Sequence, residues 1–197
     1  TQSQAMKMVN ESKKEGTIII AEKQTGGRGR SGRKWVSPKG GIWFSIILHP
    51  KFDISNTTLF PIASSLALSI AIQKTCKIST ELKWPNDLTI KGKKLAGMLI
   101  DASLESNKIE NLVLGVGINF NVNVKEIEKE LKKTPNFYGV SSLNDQKNKT
   151  SQIELIQSFL VELEKIYEEL NKNQIKKIIS EWTKRSSTIG EKIEIDT

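Results

Sequence analysis

The chain has 197 residues, of which 37% are hydrophobic and 26% are charged, a composition ordinary for a soluble globular protein with one sizeable domain. Its formal net charge is +8, and it contains one cysteine, Cys76, and one histidine, His49. These counts exclude an internal disulfide and a cysteine metal cluster, and they argue against zinc and against a nucleophile activated by histidine. Any chemistry therefore has to rest on lysine, arginine, aspartate and backbone groups.

The longest apolar runs, at 42–48 and 59–72, are too short or too polar to span a bilayer. No charged-then-apolar signal peptide opens the sequence. We therefore expect a cytoplasmic protein that has no membrane partner.

The first half of the chain predicts a helix, two strands and a second helix. Apolar residues share one face of a helix over 1–15, and Gly16 ends it. Residues 17–22 form a strand apolar enough to lie inside a sheet, and the β-branched run 42–49 predicts another. A helix over 59–76 follows, because Pro61 is tolerated only in a first turn and the apolar positions recur at helical spacing.

A loop rich in glycine and arginine, at 23–35, separates the first two strands, and we interpret it as the active-site loop. Gly26, Gly27, Gly29 and Gly32 permit positive φ and close backbone approach, so peptide N–H groups can point at an anion. Residues 23–39 contain six basic side chains and no acidic one. Composition alone also allows a disordered RNA-binding tail, but such tails are terminal or repetitive, whereas this run lies between two predicted core strands.

The middle of the chain predicts three strands at 81–84, 88–91 and 93–101, the last two joined by a tight turn at Gly92. A further strand at 111–121 alternates between an apolar face and a face that carries Gly115, Gly117 and Asn119. Two successive positions without side chains suit a ligand lying flat on the sheet, although a bulge or a closely packed helix explains glycines there equally well. Gly97 and Lys94 on the preceding strand favour the first explanation, in which the glycines form the floor of a ligand site.

The last third predicts two helices and the start of a strand. Apolar residues step by three and four over 151–171, and a second helix contains Ile175 and Trp182. Residues 191–195 read as a beginning strand. The predicted fold class is α+β, with a mixed, largely antiparallel sheet packed by helices.

Four runs in this order resemble the biotin protein ligases, also called biotin–acetyl-CoA-carboxylase ligases. They are GRGRSGRKW at 27–35, KWPND at 83–87, KLAG at 94–97 and GVGIN at 115–119. The resemblance implies a catalytic domain related to class II aminoacyl-tRNA synthetases. It also implies that ATP activates biotin as biotinyl-5′-AMP, with Mg²⁺, before the biotinyl group passes to a lysine of a biotin carboxyl carrier protein.

The resemblance also assigns roles to individual residues. Lys94, Arg28 and Arg30 would be catalytic, Lys94 bridging the reacting carboxylate and the α-phosphate, and Trp35 would cover the adenine side. Asn86 and Asp87 would orient the ligand or Mg²⁺, with Asp87 the candidate metal ligand. The full expected set that binds biotin and nucleotide comprises Thr1, Gln2, Gln24, Gly27, Arg28, Gly29, Arg30, Gly32, Arg33, Trp35, Lys83, Trp84, Asn86, Asp87, Lys94, Gly97, Gly115, Gly117 and Asn119.

The family pattern also sets the expected domain division. Residues 1–188 would form the biotin ligase catalytic domain, lacking the strand and serine that precede Thr1 and Gln2 in the family motif. Residues 189–197 would begin a truncated SH3-like β-barrel domain. No helix-turn-helix precedes the catalytic region, so we expect no specific DNA binding, and assembly as a homodimer is left open.

Adenylation also fits the residue types without reference to any family. A carboxylate nucleophile is already ionised at neutral pH, so no histidine is required. Two anions meet as it attacks the α-phosphate, and preorganised arginine, lysine and N–H groups stabilise the charge that develops. Two alternatives remain at this stage, a lipoate ligase or octanoyltransferase and, in another class, a basic nucleic-acid-binding module.

Overall fold

A computed structural model describes residues 1–9, 11, 14–106, 108–135, 137–146 and 149–192. Its helices are α1 (Gln2–Val9), α2 (Phe60–Cys76), α3 (Val124–Leu131), α4 (Gln152–Asn171) and α5 (Ile175–Thr183). Its strands are β1 (Ile18–Ala21), β2 (Ile42–Leu48), β3 (Glu81–Lys83), β4 (Asp87–Ile90), β5 (Lys93–Glu105) and β6 (Lys108–Ile118). The predicted α+β class is confirmed.

The six strands form one sheet in the order β1-β2-β6-β5-β4-β3, and each neighbouring pair is antiparallel. Parallel pairing in the described residues is confined to two isolated bridges, Leu82 with Ser186 and Lys94 with Val140. The prediction of a largely antiparallel sheet is therefore confirmed. The longest strands, β5 and β6, lie at its centre.

Helices α2, α4 and α5 cover one face of the sheet and form the main core. On β2, Phe44 points into this core and packs edge-on against Phe159 of α4, with ring centroids 5.8 Å apart. On β6, Leu112, Leu114 and Val116 point the same way. By length and composition alone, the segment Ile54–Cys76 is long and apolar enough to cross a membrane. In the fold, α2 packs against both the sheet and α4, so burial in the core accounts for its apolar character.

The other face of the sheet is only partly covered, by α1 and by the basic loop. Because side chains alternate along a strand, Trp43, Ser45 and Ile47 of β2 point to this second face. All seven residues of β2 are buried, since both of its faces are covered. Residues of β5 and β6, at the centre of the sheet, line a cavity on this face.

Two element predictions need correction, and one helix was missed. The first helix covers Gln2–Val9, and Glu11, Lys14 and Glu15 are not helical, while the rest of the predicted extension to residue 15 lies outside the described residues. Strand β1 lies at the sheet edge, not inside it, and Ile20 is 60% exposed. Helix α3 was not predicted. The expected strand at 191–195 and the start of a C-terminal domain fall largely on 193–197, outside the described residues, so the domain division stays a prediction.

Candidate active site

A cavity of about 460 Å³ opens on the second face of the sheet, a size common for small-molecule sites. Of the nineteen residues predicted to bind ligand, every one except Gly32 lines it. Gly32 lies at the loop tip with a φ of 71°, so it forms the turn rather than the cavity wall. Residues separated by more than 100 positions in the sequence therefore meet in one place, although their binding roles stay predictions.

The floor of the cavity consists of glycines on the two central strands. Gly97 of β5 pairs directly with Gly117 of β6. A Cβ added to Gly117 would lie 2.6 Å from Trp35 Nε1, and one added to Gly115 would lie 2.5 Å from Gln2 Oε1. Side chains from the loop and from α1 thus occupy the space that these glycines leave. Gly115 thus lies under α1, as one predicted explanation requires, and it also lines the cavity, while its part in a ligand floor stays a prediction.

The basic loop folds back on itself like a short hairpin. Gly29 N donates to Arg33 O at 2.7 Å, and Trp35 N donates to Gly27 O at 3.0 Å. Ser31 has a φ of 54°, so the reversal uses two successive residues of left-handed conformation, Ser31 and Gly32. The loop is joined to β5 by Arg28, whose Nη2 lies 2.6 Å from Asp101 Oδ2. The second half is joined to α3 by an ion pair between Lys34 and Glu130.

A polar network closes the end of the cavity near α1. Ser45 Oγ, which is buried, lies 2.8 Å from Thr1 Oγ1 and 2.9 Å from Gln2 Oε1. Thr1 Oγ1 also donates to Gln24 Oε1 at 3.1 Å. This arrangement presents hydroxyl and amide groups at one end of an otherwise glycine-lined floor. Ser45 was not predicted, although it is the one polar residue in the run IWFSIIL.

A charged cluster forms the opposite end. Lys94 Nζ lies 2.7 Å from Asp87 Oδ2, and only 27% of the Lys94 side chain is exposed. The same nitrogen is 5.1 Å from the centre of the Trp35 ring. Tyr138, a residue the sequence analysis did not single out, donates its hydroxyl to Asp87 Oδ2 at 2.6 Å. Lys94 is thus held between a carboxylate and an aromatic ring rather than extended into solvent.

Two buried polar atoms in the cavity lack a hydrogen-bond partner among the described residues. They are Trp35 Nε1, a donor, and Asp87 Oδ1, an acceptor. Asp87 Oδ1 lies against the floor, 3.2 Å from the position that a Cβ on Gly97 would occupy. An unpaired buried polar group is costly unless a ligand, ion or water satisfies it.

The remaining predicted residues shape the rim and the turn between β3 and β4. Asn86 Nδ2 donates to Met98 O at 2.6 Å, and Asn86 Oδ1 faces Arg30 Nη1 at 3.4 Å. Asn119 Nδ2 donates to Lys94 O at 3.3 Å, which links β6 to the backbone of the cluster lysine. Trp84 is 62% exposed at the rim. In this structure the two asparagines therefore hold strands in place.

The fold and site together define an α+β domain with a cavity on one sheet face, between a basic loop and a lysine–carboxylate cluster. The profile of the Biotin/lipoate A/B protein ligase family matches residues 1–119. The chain belongs to this family.

Individual relatives agree with this assignment. The bifunctional ligase/repressor BirA of Bacillus subtilis is 38% identical over 133 residues, which cover 67% of this chain and 41% of that protein. The biotin–[acetyl-CoA-carboxylase] ligase of Mycobacterium tuberculosis is 29% identical over 190 residues, covering 92% of this chain and 65% of that protein. The chain thus spans about two fifths of the length of the Bacillus relative.

A solved structure extends the likeness to three dimensions. The biotin protein ligase from Aquifex aeolicus in complex with biotin and ATP superposes with a TM-score of 0.77 at 30% sequence identity. The match covers 91% of this chain and 72% of that chain. The fold predicted from the resemblance is therefore confirmed.

Proposed function

We propose that this chain activates biotin with ATP and transfers it to a lysine of a carboxyl carrier protein. The main observation behind this proposal is the position of Lys94. It lies beside Asp87 and lines the same cavity as the arginines of the basic loop and the glycines of the floor. We propose that the reacting carboxylate and the α-phosphate meet beside Lys94. The relative solved with biotin and ATP has the same fold, which supports the same pair of substrates.

The chemistry follows from the charges in the cavity. The biotin carboxylate oxygen attacks the α-phosphorus of ATP, a P–O bond to the β-phosphate breaks, and pyrophosphate leaves with the bonding electrons. Negative charge builds on the phosphoryl oxygens, and Lys94, Arg28 and Arg30 provide fixed positive charge around them. The amine of the acceptor lysine then attacks the mixed anhydride, loses a proton, and releases AMP.

The side chains present also fit Mg²⁺, which usually binds through one or two carboxylates together with substrate phosphates. The fit rests on Asp87 Oδ1, a carboxylate oxygen that is buried and unpartnered. Asp87 would hold the ion, which when bound neutralises phosphate charge. Within the described residues no group of three or more acidic, histidine or cysteine side chains is close enough to form a metal site without phosphate.

The acceptor is proposed from the names of relatives. The Mycobacterium tuberculosis protein is named a biotin–[acetyl-CoA-carboxylase] ligase, and the acceptor there is a carboxylase. Trp84 is exposed and lines the cavity, and we propose that the acceptor lysine enters beside it. The cytoplasmic location stays a prediction.

Incubation with biotin, ATP and Mg²⁺ tests the first half-reaction. We expect pyrophosphate release and biotinyl-5′-AMP that stays bound to the protein. Lipoate and octanoate in place of biotin serve as matched controls, because the family also contains lipoate ligases. Pyrophosphate release with lipoate and none with biotin would overturn the proposal. Adding an apo carrier protein, and its variant with the acceptor lysine changed to alanine, tests the transfer.

A further inference from the structure

We propose that Tyr138 is a positioning residue for adenylation, which orients Asp87, contacts Lys83 and weakens the hold of Asp87 on Lys94. The inference rests on the proposed function and adds a residue to its machinery. Tyr138 lies between α3 and α4, outside the four motif runs. Its role follows from the contacts of its hydroxyl and of its ring.

The hydroxyl and Lys94 share one oxygen of Asp87. Tyr138 OH donates to Oδ2 at 2.6 Å, and Lys94 Nζ lies 2.7 Å from the same atom. With Oδ2 held from two directions, the carboxylate plane is fixed and Oδ1 remains for a ligand or ion. The phenol also takes part of the Asp87 charge, which weakens the hold of that carboxylate on Lys94. Lys94 is then freer to move toward a phosphate.

The ring of Tyr138 contacts a second cation. Lys83 Nζ lies 3.5 Å from the ring centroid, within the range of a cation–π interaction. Lys83 lines the cavity, and its motif places it one residue before Trp84. One tyrosine therefore contacts Lys83 through its face and Asp87 through its hydroxyl.

The backbone around Tyr138 is fixed to the strand that carries Lys94. Lys94 N donates to Gly139 O at 3.1 Å, and Ser141 N donates to Lys94 O at 2.8 Å. Glu128 of α3 accepts from Val140 N at 3.1 Å. These backbone hydrogen bonds therefore place the Tyr138 phenol beside Lys94, the ion-pair partner of Asp87.

The test uses Tyr138→Phe, Tyr138→Leu and a matched control, Tyr167→Phe. Tyr167 is the other tyrosine of the chain, and its hydroxyl donates to a carboxylate, Glu15, at 2.7 Å, away from the cavity. Each phenylalanine variant removes one phenol–carboxylate hydrogen bond and keeps the ring. Thermal unfolding of all three variants first establishes that they fold.

Single-turnover adenylate formation is the first measurement. We expect Tyr138→Phe to lower the rate about 10-fold, in the range for losing a partner that orients a functional ligand, with biotin binding unchanged. Tyr138→Leu also removes the contact with Lys83, so it should lower the rate further and raise the KM for ATP. Tyr167→Phe should keep the native rate. A native rate in Tyr138→Phe, or equal losses in the two phenylalanine variants, would contradict the proposal.

Chemical acetylation of Lys94, followed by mass spectrometry, is a readout that does not depend on adenylation. In Tyr138→Phe the carboxylate interacts with Lys94 alone, so we expect slower acetylation of Lys94 than in the unmodified sequence. Lys91, which is exposed, provides the internal reference. Slower acetylation in a chain that forms no adenylate would overturn the proposed function and support the positioning role. Unchanged acetylation would overturn the positioning role.

Discussion

Lys94 is the residue whose change should affect chemistry most. Under the proposed function Lys94 carries the positive charge between the two reacting anions, so Lys94→Ala should lower the rate of adenylate formation by roughly 10²–10³, the usual effect of removing one preorganised electrostatic contact. Biotin binding should change less, because other donors contact the ground-state carboxylate. Single-turnover adenylation and biotin titration measure the two effects separately.

The neighbouring lysines provide the controls for that experiment. Lys91 and Lys93 are exposed residues at the same turn. Lys91→Ala and Lys93→Ala should therefore adenylate biotin at near-native rates. Equal, near-native rates in Lys91→Ala, Lys93→Ala and Lys94→Ala would show that Lys94 has no special part in the reaction.

The site residues that could be predicted from the sequence are those whose type is unusual for their position. Glycines in a strand and a lysine before Leu-Ala-Gly stand out from their neighbours, and all line the cavity. Tyr138 gave no such indication, because it lies in an irregular segment where neither periodicity nor charge marks it. Only the tertiary fold brings its hydroxyl to Asp87. Ser45 was detectable in principle, as a polar residue in an apolar strand.

Asp101 holds the first half of the basic loop, and its removal should loosen the loop. Arg28 and Gln2 both donate to Asp101 Oδ2. Asp101→Asn should speed tryptic cleavage after the loop arginines by up to about fivefold, the factor that about 1 kcal/mol from a partly exposed ion pair supplies. Biotin with ATP should slow cleavage in the unmodified sequence, because ordering the loop buries its arginines.

The control is Glu22→Gln, which removes an exposed ion pair with Lys39 beyond the loop hairpin. Its cleavage rate should match that of the unmodified sequence. Cleavage that is equal with and without biotin and ATP would count against a loop that closes over the ligand.

Helix α4 stabilises the fold through its buried face. Phe159 is fully buried and packs against Phe44, so Phe159→Ala should lower the free energy of unfolding by about 3–5 kcal/mol. Ile153 on the same helix is 68% exposed, and Ile153→Ala should change the free energy of unfolding by no more than about 0.5 kcal/mol. Urea denaturation measures both. Similar losses in the two variants would contradict the assigned helix face.

Long, strongly periodic elements were the ones predicted well from sequence. The expected helix at 151–171 is α4, capped by Ser151, whose side chain accepts from Glu154 N. Helix α3 was missed because it has eight residues and only Ile127 is buried. The edge position of β1 depends on which strand pairs with which, and apolar content alone does not determine pairing.

The stability of the whole molecule should fall in alkaline solution. Both tyrosines have a pKa raised by burial, followed for Tyr138 by Asp87 and for Tyr167 by its hydrogen bond to Glu15. A raised folded-state pKa contributes stability that is fully present below the unfolded pKa, about 10, and is lost as pH rises above it. Tyrosinate absorbance should appear together with loss of helical circular dichroism. Tyrosinate forming near pH 10 in a chain that stays folded would contradict this.

The net charge of +8 should not make the chain a specific DNA-binding protein. Three of the six basic residues at 23–39 already pair with carboxylates, in the contacts Arg28–Asp101, Lys34–Glu130 and Lys39–Glu22. Binding to duplex DNA should therefore be weak, should fall with salt and should show no sequence preference. Fluorescence anisotropy with two unrelated duplexes at two salt concentrations measures this. Selective binding at physiological salt would contradict it.

The cavity joins distant parts of the sequence, and this affects the chain as it is made. Gln2 bonds to Asp101 and Val113, and Asp87 bonds to Tyr138. A polypeptide leaves the ribosome from its N-terminus, so the first residues of the site emerge long before the last. The pocket is complete only once the chain has been synthesised past Val140. Under the proposed function, biotin therefore takes no part in the early steps of folding, and it stabilises the protein only after the central sheet and Tyr138 are in place.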